Sequence, residues 1–338
     1  METMNKQVRT PLPNLMSCLV VLLLAALLEP AAGSGASGAP AGTASGFEWQ
    51  KQPDSLALLH NDRVVWKFNY GSSAAKPFFH PVALPDGPVL TLDRPSDHPW
   101  HHALWFSWKF INGVNYWEED RATGNAAGFT EWSRPRVETR RDFSARIALN
   151  LLYCPAVGKP VLGEKRVIEI SRPDEHGAYQ FDWTMAFTPV ERDVLLDRTP
   201  PPGQPGGEPW GGYAGLSVRF AKEVKDPRIL TTEGLAVFAD GRYRAKAMGL
   251  DYSGWFADRE AGLAILDWPG NFNSPTPWYA IADATMNYFS PAVIQRQPCA
   301  LKAGHTLNLR YRVIVHPGRW SAEQVRQASE QFVLHKKS

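Results

Sequence analysis

Cysteine is scarce: the 338-residue chain has three, Cys18, Cys154 and Cys299. None is spaced as a metal-binding pair or sits in a nucleophile signature, so cysteine chemistry is not what organises this protein. Cys154 and Cys299 can form one bridge in an oxidising compartment, but their distance in sequence does not establish it. An excess of either charge is also missing. Thirty-six Lys and Arg face 34 Asp and Glu, for a net charge of +2. No long basic run occurs, which leaves nucleic-acid binding without electrostatic support. Long apolar runs are missing too, with one exception at the start. Leu15 to Leu28, LMSCLVVLLLAALL, has 14 residues, short for a bilayer span and right for the core of a signal peptide. Nothing after it approaches 18 apolar residues, so no membrane helix is expected in the rest of the chain. Strand and helix patterns do not alternate, which disfavours a parallel doubly wound sheet.

Lys6 and Arg9 precede the apolar run, and Ala31-Ala32-Gly33 follow it. That layout predicts a secretory signal peptide over residues 1–33 and a periplasmic or secreted protein. Cys18 sits inside the run instead of at its end, which argues against a lipoprotein anchor. An uncleaved anchor would leave the remainder outside the cytoplasm all the same. From Gly33 to Gly46 the chain is Gly, Ala, Ser, Thr and Pro, unable to bury enough surface to fold. A flexible linker is expected over 34–46 and a single β domain over 47–338.

What is abundant is strand pattern. In LNLRYRVIVH, Leu307, Leu309, Tyr311, Val313 and Val315 share one face and Asn308, Arg310 and Arg312 the other. Similar β-rich runs lie at 63–70, 145–153, 165–171, 179–189, 213–221 and 262–268. Their length favours broad sheets. One helix is expected, after Ser321 and Gln324, which read as a capping box. The Pro/Gly-rich stretch Thr199 to Gly212 reads as a long surface loop within the domain. The fold class expected is all-β: two large antiparallel sheets face to face, with a short C-terminal helix.

Chemistry concentrates in RPSDHPWHHALWFSWKFINGVNYWEE, Arg94 to Glu119, which holds three histidines and four tryptophans. Pro99 keeps the Asp97–His102 stretch out of a central ladder and makes it a loop or strand entry at a rim. His98 and His101, three apart, can converge on one point. Beside a carboxylate they serve as an acid/base pair oriented by Asp97, or as the start of a divalent-metal site. Histidines in a crowded aromatic corner also simply bond backbone. Trp105 reads as core, whereas Trp100 and Trp117, among polar residues beside turns, read as platforms for sugar faces. Glu118 and Glu119 follow as the nearest acids. A second group, Asp267, Asn271 and Trp278 in LDWPGNFNSPTPWY, reads as substrate-contacting loop residues, although Asn and Asp also close turns on their own backbone. In GLSVRF, alternation puts Ser217 and Arg219 opposite Leu216, Val218 and Phe220. An Arg on a concave sheet face is costly unless it meets an anion or a hydroxyl-rich ligand.

The run KPFFHPVALPDGPVLTLDRPSDHPWHHALWFSWKFINGVNYWEE, with GLSVRF, ILDWPGNFNSPTPWY and LNLRYRVIVHPG, resembles the bacterial PmoA-like family of unknown function. The resemblance covers nearly all of the chain after the leader. It implies a galactose-mutarotase-like supersandwich and a role near sugar catabolism. It marks Asp97, His98, His101, Arg219 and Asn271 as positions of interest. Many relatives carry Arg and Gly where this chain has His102 and Ala103, and Asp-His-Pro where it has Asp267-Trp268-Pro269. The label refers to methane oxygenation, but the chain after its leader has neither membrane spans nor a cupredoxin copper pattern.

The expectation is therefore a secreted or periplasmic carbohydrate-active enzyme with a saccharide or glycoside ligand. Asp97, His98, His101, His102 and Arg219 would be catalytic, and Trp100, Trp117, Glu118, Asp267, Asn271 and Trp278 would bind substrate. The reaction would be glycoside cleavage, elimination or epimerisation, with an oxidised sugar suiting histidine bases. Two other classes stay open. One is a non-catalytic carbohydrate-binding module. The other is a metal-dependent enzyme, an oxygenase included, with a divalent metal on His98 and His101.

Overall fold

The computed structural model of the protein describes residues 46–124 and 126–334. The expected signal peptide, and the linker apart from Gly46, lie outside the described residues. Within those residues the regular structure is β-strand plus one α-helix, Ala322–Leu334. No described helix is long and apolar enough to cross a membrane.

Two large sheets carry the fold. The first has eight strands in the order Phe47–Gln52, Ser55–His60, Arg63–Asn69, Phe78–Val82, Leu104–Ser107, Gly215–Arg219, Asn287–Pro291 and Trp278–Ala282. The second has ten, centred on Arg259–Asp267, Leu307–Pro317, Tyr179–Pro189 and Leu162–Ile170. Pairing is antiparallel in both, as in the pairs that join these four strands and those around Gly215–Arg219. Alternation along Tyr179–Pro189 buries Tyr179, Phe181, Trp183, Met185 and Phe187 and turns the intervening residues outward. Those inner residues meet the inner face of the eight-stranded sheet: Phe79 lies 4.8 Å from Phe181 between ring centroids, and Phe106 lies 5.2 Å from Phe187. The two faces form one apolar core. A single fully buried Phe such as Phe181 contributes roughly 1.5–3 kcal/mol to it.

A small third sheet joins Cys299–Leu301, Val194–Asp197, Phe110–Ile111 and Val114–Asn115. Its last hairpin leads into residues 116–119, where Tyr116 stays in the main core and Trp117 joins the cluster on the outer face of the eight-stranded sheet. Cys154 and Cys299 are both free and buried, so the bridge left open by the sequence is not formed. The helix begins as its capping box requires: Gln324 Oε1 accepts from the Ser321 amide at 2.8 Å, and Ser321 Oγ accepts from the Gln324 amide at 3.3 Å. It buries Val325 and Phe332 with Leu230 and Leu266.

Candidate functional site

The outer face of the eight-stranded sheet is built by the same alternation that makes the core. Leu104 and Phe106 turn inward and Trp105 outward; Leu216 and Val218 turn inward and Ser217 and Arg219 outward. Register then sets the outward residues side by side: Trp105 opposite Ser217, Arg219 opposite Tyr288, and Tyr288 opposite Ile281. The result is an apolar outer cluster of Phe78, Trp105, Trp117, Tyr279, Ile281 and Tyr288.

The histidine loop folds over this floor in tight turns. His98 N–H donates to Pro95 O at 3.0 Å, His101 N–H to His98 O at 3.0 Å, and Arg94 N–H to His101 O at 2.8 Å. The loop ends at Ala103, whose φ of 64° is left-handed, a conformation that costs a non-glycine residue roughly 1–2 kcal/mol. That bend sends the chain from the loop into the strand Leu104–Ser107.

Between loop and sheet lies a cavity of about 380 Å³, at the low end of the ~300–1,000 Å³ usual for small-molecule sites. The loop gives it His98, Trp100 and His101, and the segment after the small hairpin gives Trp117 and Glu118. Tyr279, Ile281 and Tyr288 come from the sheet, and Trp210, Tyr213 and Arg242 close the remaining side.

The rings are ordered. His98 stacks on His101 at 4.7 Å and 27°, and His101 stacks on Tyr288 at 5.4 Å and 27°. Trp117 meets His101 edge-on at 5.9 Å. Burial first, and then the neighbouring His98, Arg219, His102 and Lys76, hold His101 well below the ordinary imidazole range. It is a neutral ring at physiological pH, and its Nδ1 is buried without a partner. Behind it runs a charged relay. Arg219 Nη2 donates to Asp97 Oδ2 at 2.8 Å, and His98 Nδ1 pairs with the same oxygen at 2.8 Å. Partial burial opposes ionisation of Asp97, but the bond from His98 and the Arg219 charge outweigh it and keep the carboxyl below its usual range. Arg219 Nε and Nη1 are buried with no partner. Burial likewise opposes ionisation of Glu118, and Lys109, Asn115 and Tyr213 overcome it. Tyr213 Oη donates to Glu118 at 3.0 Å.

A second cavity, of about 680 Å³, lies beyond the wall made by residues 101–102 and 116–119. His102 and Glu119 face it, with Lys76 and Arg94. His102 Nδ1 pairs with Asp93 at 3.1 Å and its Nε2 with Glu119 at 3.0 Å.

Five of the residues singled out in the sequence thus line one cavity: His98, Trp100, His101, Trp117 and Glu118. Asp97 and Arg219 lie directly behind it. Four expectations need correction. His102 is turned away from His98 and His101 into the neighbouring cavity, held by its two carboxylates. Asp267 and Asn271 are buried in a structural knot: Asn271 Nδ2 donates to Asp267 at 2.8 Å, Asn271 Oδ1 accepts from the Arg310 amide at 2.7 Å, and Asp267 Oδ2 accepts from the Thr276 amide at 2.9 Å. Trp278 is wholly buried on the inner face, with its Nε1 donating to Ala247 O at 2.9 Å. These last three line neither cavity.

The metal expectation does not fit the donors either. His98 and His101 are stacked face to face, and His98 Nδ1 is already engaged by Asp97. Among the described residues no group of three or more His, Cys, Asp or Glu is arranged to hold a metal. The sequence reading missed Tyr213, Tyr279, Tyr288, Trp210 and Arg242. The tyrosines carry no local signal, whereas Trp210 was readable as a lone indole in a Pro/Gly loop.

In shape the chain is similar to a galactose mutarotase related enzyme from Lactobacillus acidophilus, at 8% identity and a TM-score of 0.33, over 81% of this chain and 99% of that one. It is also similar to the galactosidase domain of an alpha-galactosidase–sucrose kinase, at 8% identity and a TM-score of 0.34, over 81% of this chain and 41% of that one. No curated protein matches the sequence. The motifs implied a family of unknown function of the PmoA-like kind; a family of unknown function is what matches, and nothing in these comparisons supports the PmoA label. Residues 55–330 match the family of unknown function DUF6807, and the chain belongs to that family.

Proposed function

We propose that the protein is a carbohydrate-active enzyme of an extracytoplasmic compartment, binding a saccharide in the aromatic cavity and acting on it by acid–base chemistry at His101. One observation carries this reading: a neutral, buried imidazole with an unpartnered nitrogen sits on the floor of a cavity walled by Trp100, Trp117, Tyr213 and Tyr279. Indole and phenol faces suit the C–H faces of a sugar ring. Glu118, held ionised, is an acceptor for its hydroxyls. A neutral imidazole is ready to take a proton, and His98, its ring fixed by Asp97, is placed to return one. Arg219 acts as a positioning residue through Asp97. An oxidised sugar fits best, because a carbonyl acidifies the neighbouring C–H that His101 would remove in an elimination or epimerisation. The apolar leader supports the location.

The test is turnover on a panel of saccharides and oxidised saccharides. His101→Ala and His98→Ala are each expected to lower it at least about 100-fold with the fold intact by circular dichroism. Saccharide binding by calorimetry with no product formed by the wild type would favour a non-catalytic binding module, which the aromatic walls alone would serve. Full activity in both variants would remove the histidines from the mechanism.

A further inference from the structure

The loop Thr199 to Gly212 carries Trp210, which is 52% exposed and lines the aromatic cavity. The loop is no free arm. Its ends close on each other, with Gly212 N–H donating to Thr199 O and Glu208 N–H to Pro200 O, both at 2.9 Å. Arg198 holds its middle through Gln204 Oε1. Arg244 holds its far end by the carbonyls on either side of the indole, with Nε donating to Gly211 O at 3.2 Å and Nη2 to Pro209 O. The same guanidinium lies 5.1 Å over the ring of Tyr279. Tyr279 is itself a wall of the cavity, its hydroxyl accepting from Arg242 Nε at 3.0 Å. One cation therefore ties the indole to the aromatic wall.

Depth separates this indole from the reacting groups. His101 is 4% exposed and Tyr288 1%, at the floor, while Trp210 stands at the mouth. Among the aromatic rings that line the cavity, Trp210 is the exposed one. A large rigid side chain already fixed in place loses little entropy on contact.

We infer that Trp210 is the stacking platform for a second sugar ring and that Arg244 is the residue positioning it, so that the ligand is a saccharide of at least two rings. This rests on the saccharide reading of the cavity. Calorimetry on the full chain with D-glucose and D-galactose, against cellobiose, maltose and lactose, tests it, with 4-nitrophenyl β-D-glucoside as the aromatic comparison. In the wild type at least one disaccharide binds more tightly than its monosaccharide. Trp210→Ala lowers the ratio of disaccharide to monosaccharide affinity about tenfold, and Trp210→Tyr restores most of it. Arg244→Ala lowers the same ratio, which a merely stabilising role for Arg244 would not do. An unchanged ratio in Trp210→Ala overturns the platform while leaving the saccharide reading standing. A wild type that binds the nitrophenyl glucoside more tightly than any disaccharide overturns it in favour of an aromatic aglycone. A wild type that binds no member of the panel overturns the two-ring ligand, and the saccharide reading falls with it when the oxidised saccharides of the turnover panel are not bound either.

Discussion

Removing the Glu119 carboxylate should destabilise the protein more than most single changes. Glu119 is buried and accepts from Lys76 Nζ at 2.8 Å, Arg94 Nη1 at 3.1 Å and His102 Nε2 at 3.0 Å. Lys76 is buried as well, and its other bond is to Trp117 O at 3.3 Å. Truncation leaves an ammonium in the interior with one carbonyl for company, a loss of roughly 3–5 kcal/mol for such pairs. Burial already depresses Lys76 against the opposing pull of Glu119, so the lysine can shed its proton, which sets the lower end. An independent route gives the same size. Burial works against ionisation of Glu119, yet His102 and Lys76 bring its carboxyl from 4.5 down to about 2. A folded value below the unfolded one means stability present above pH 4.5 and lost as pH falls toward 2, about 3 kcal/mol in all. Urea unfolding of wild type and Glu119→Ala at pH 7 and pH 3 measures both. The variant should be weaker by about 3 kcal/mol at pH 7, the gap should narrow at pH 3, and Lys76→Met in the same chain should recover part of the loss. A deficit below about 1 kcal/mol at pH 7, or one that does not shrink on acidification, would refute the reasoning.

Asp267 should act in the opposite direction. Burial raises its carboxyl to about 6, so its stabilising contribution is present below pH 3.8 and lost as pH rises through about 6, again roughly 3 kcal/mol. Asp267→Asn should therefore gain on wild type between pH 4.5 and 7 in denaturant titrations, and parallel curves would sink the idea. The acid limb of activity should fall below pH 6.5, because burial holds His101 under the ordinary imidazole range. Arg219→Gln, which removes one of the charges depressing that ring, should move the acid limb of kcat/KM to higher pH, and a limb that stays put would discard the coupling. Cys154, whose thiol burial pushes up to about 11, and Cys299, raised in the same way, should resist a thiol reagent in the native protein and label in urea, as read by mass spectrometry. Rapid native labelling would count against their burial.

Much of the fold was legible because period-two alternation is a strong signal. The alternations at Leu307–Val315 and Leu216–Phe220 appear as read, and the second correctly turned Arg219 away from the core. The helix followed from one capping box. The histidine loop was legible because its residues are close in the sequence and Pro99 forbids a central strand. The rest of the site was not, because it is assembled by register. Tyr279 and Tyr288 reach the cavity only because Trp278–Ala282 pairs with Asn287–Pro291, which pairs with Gly215–Arg219, and nothing local announces that order. Asp267, Asn271 and Trp278 misled for a physical reason: a Pro/Asn-rich stretch looks like an exposed binding loop, yet here its polar groups satisfy backbone and one another. His102 misled because neighbouring residues on a bent strand entry point to opposite sides.

That last fact makes the partition between the two hollows a single peptide chain thick at positions 101 and 102. Slipping the pairing of Asp93 and Arg94 with His101 and His102 by one residue would swap the imidazoles across it, handing the solvent-poor ion cluster the ring meant for the aromatic chamber and the reverse. That pairing is consequently as strict a requirement as residue identity, and a change that breaks it should disturb both hollows at once.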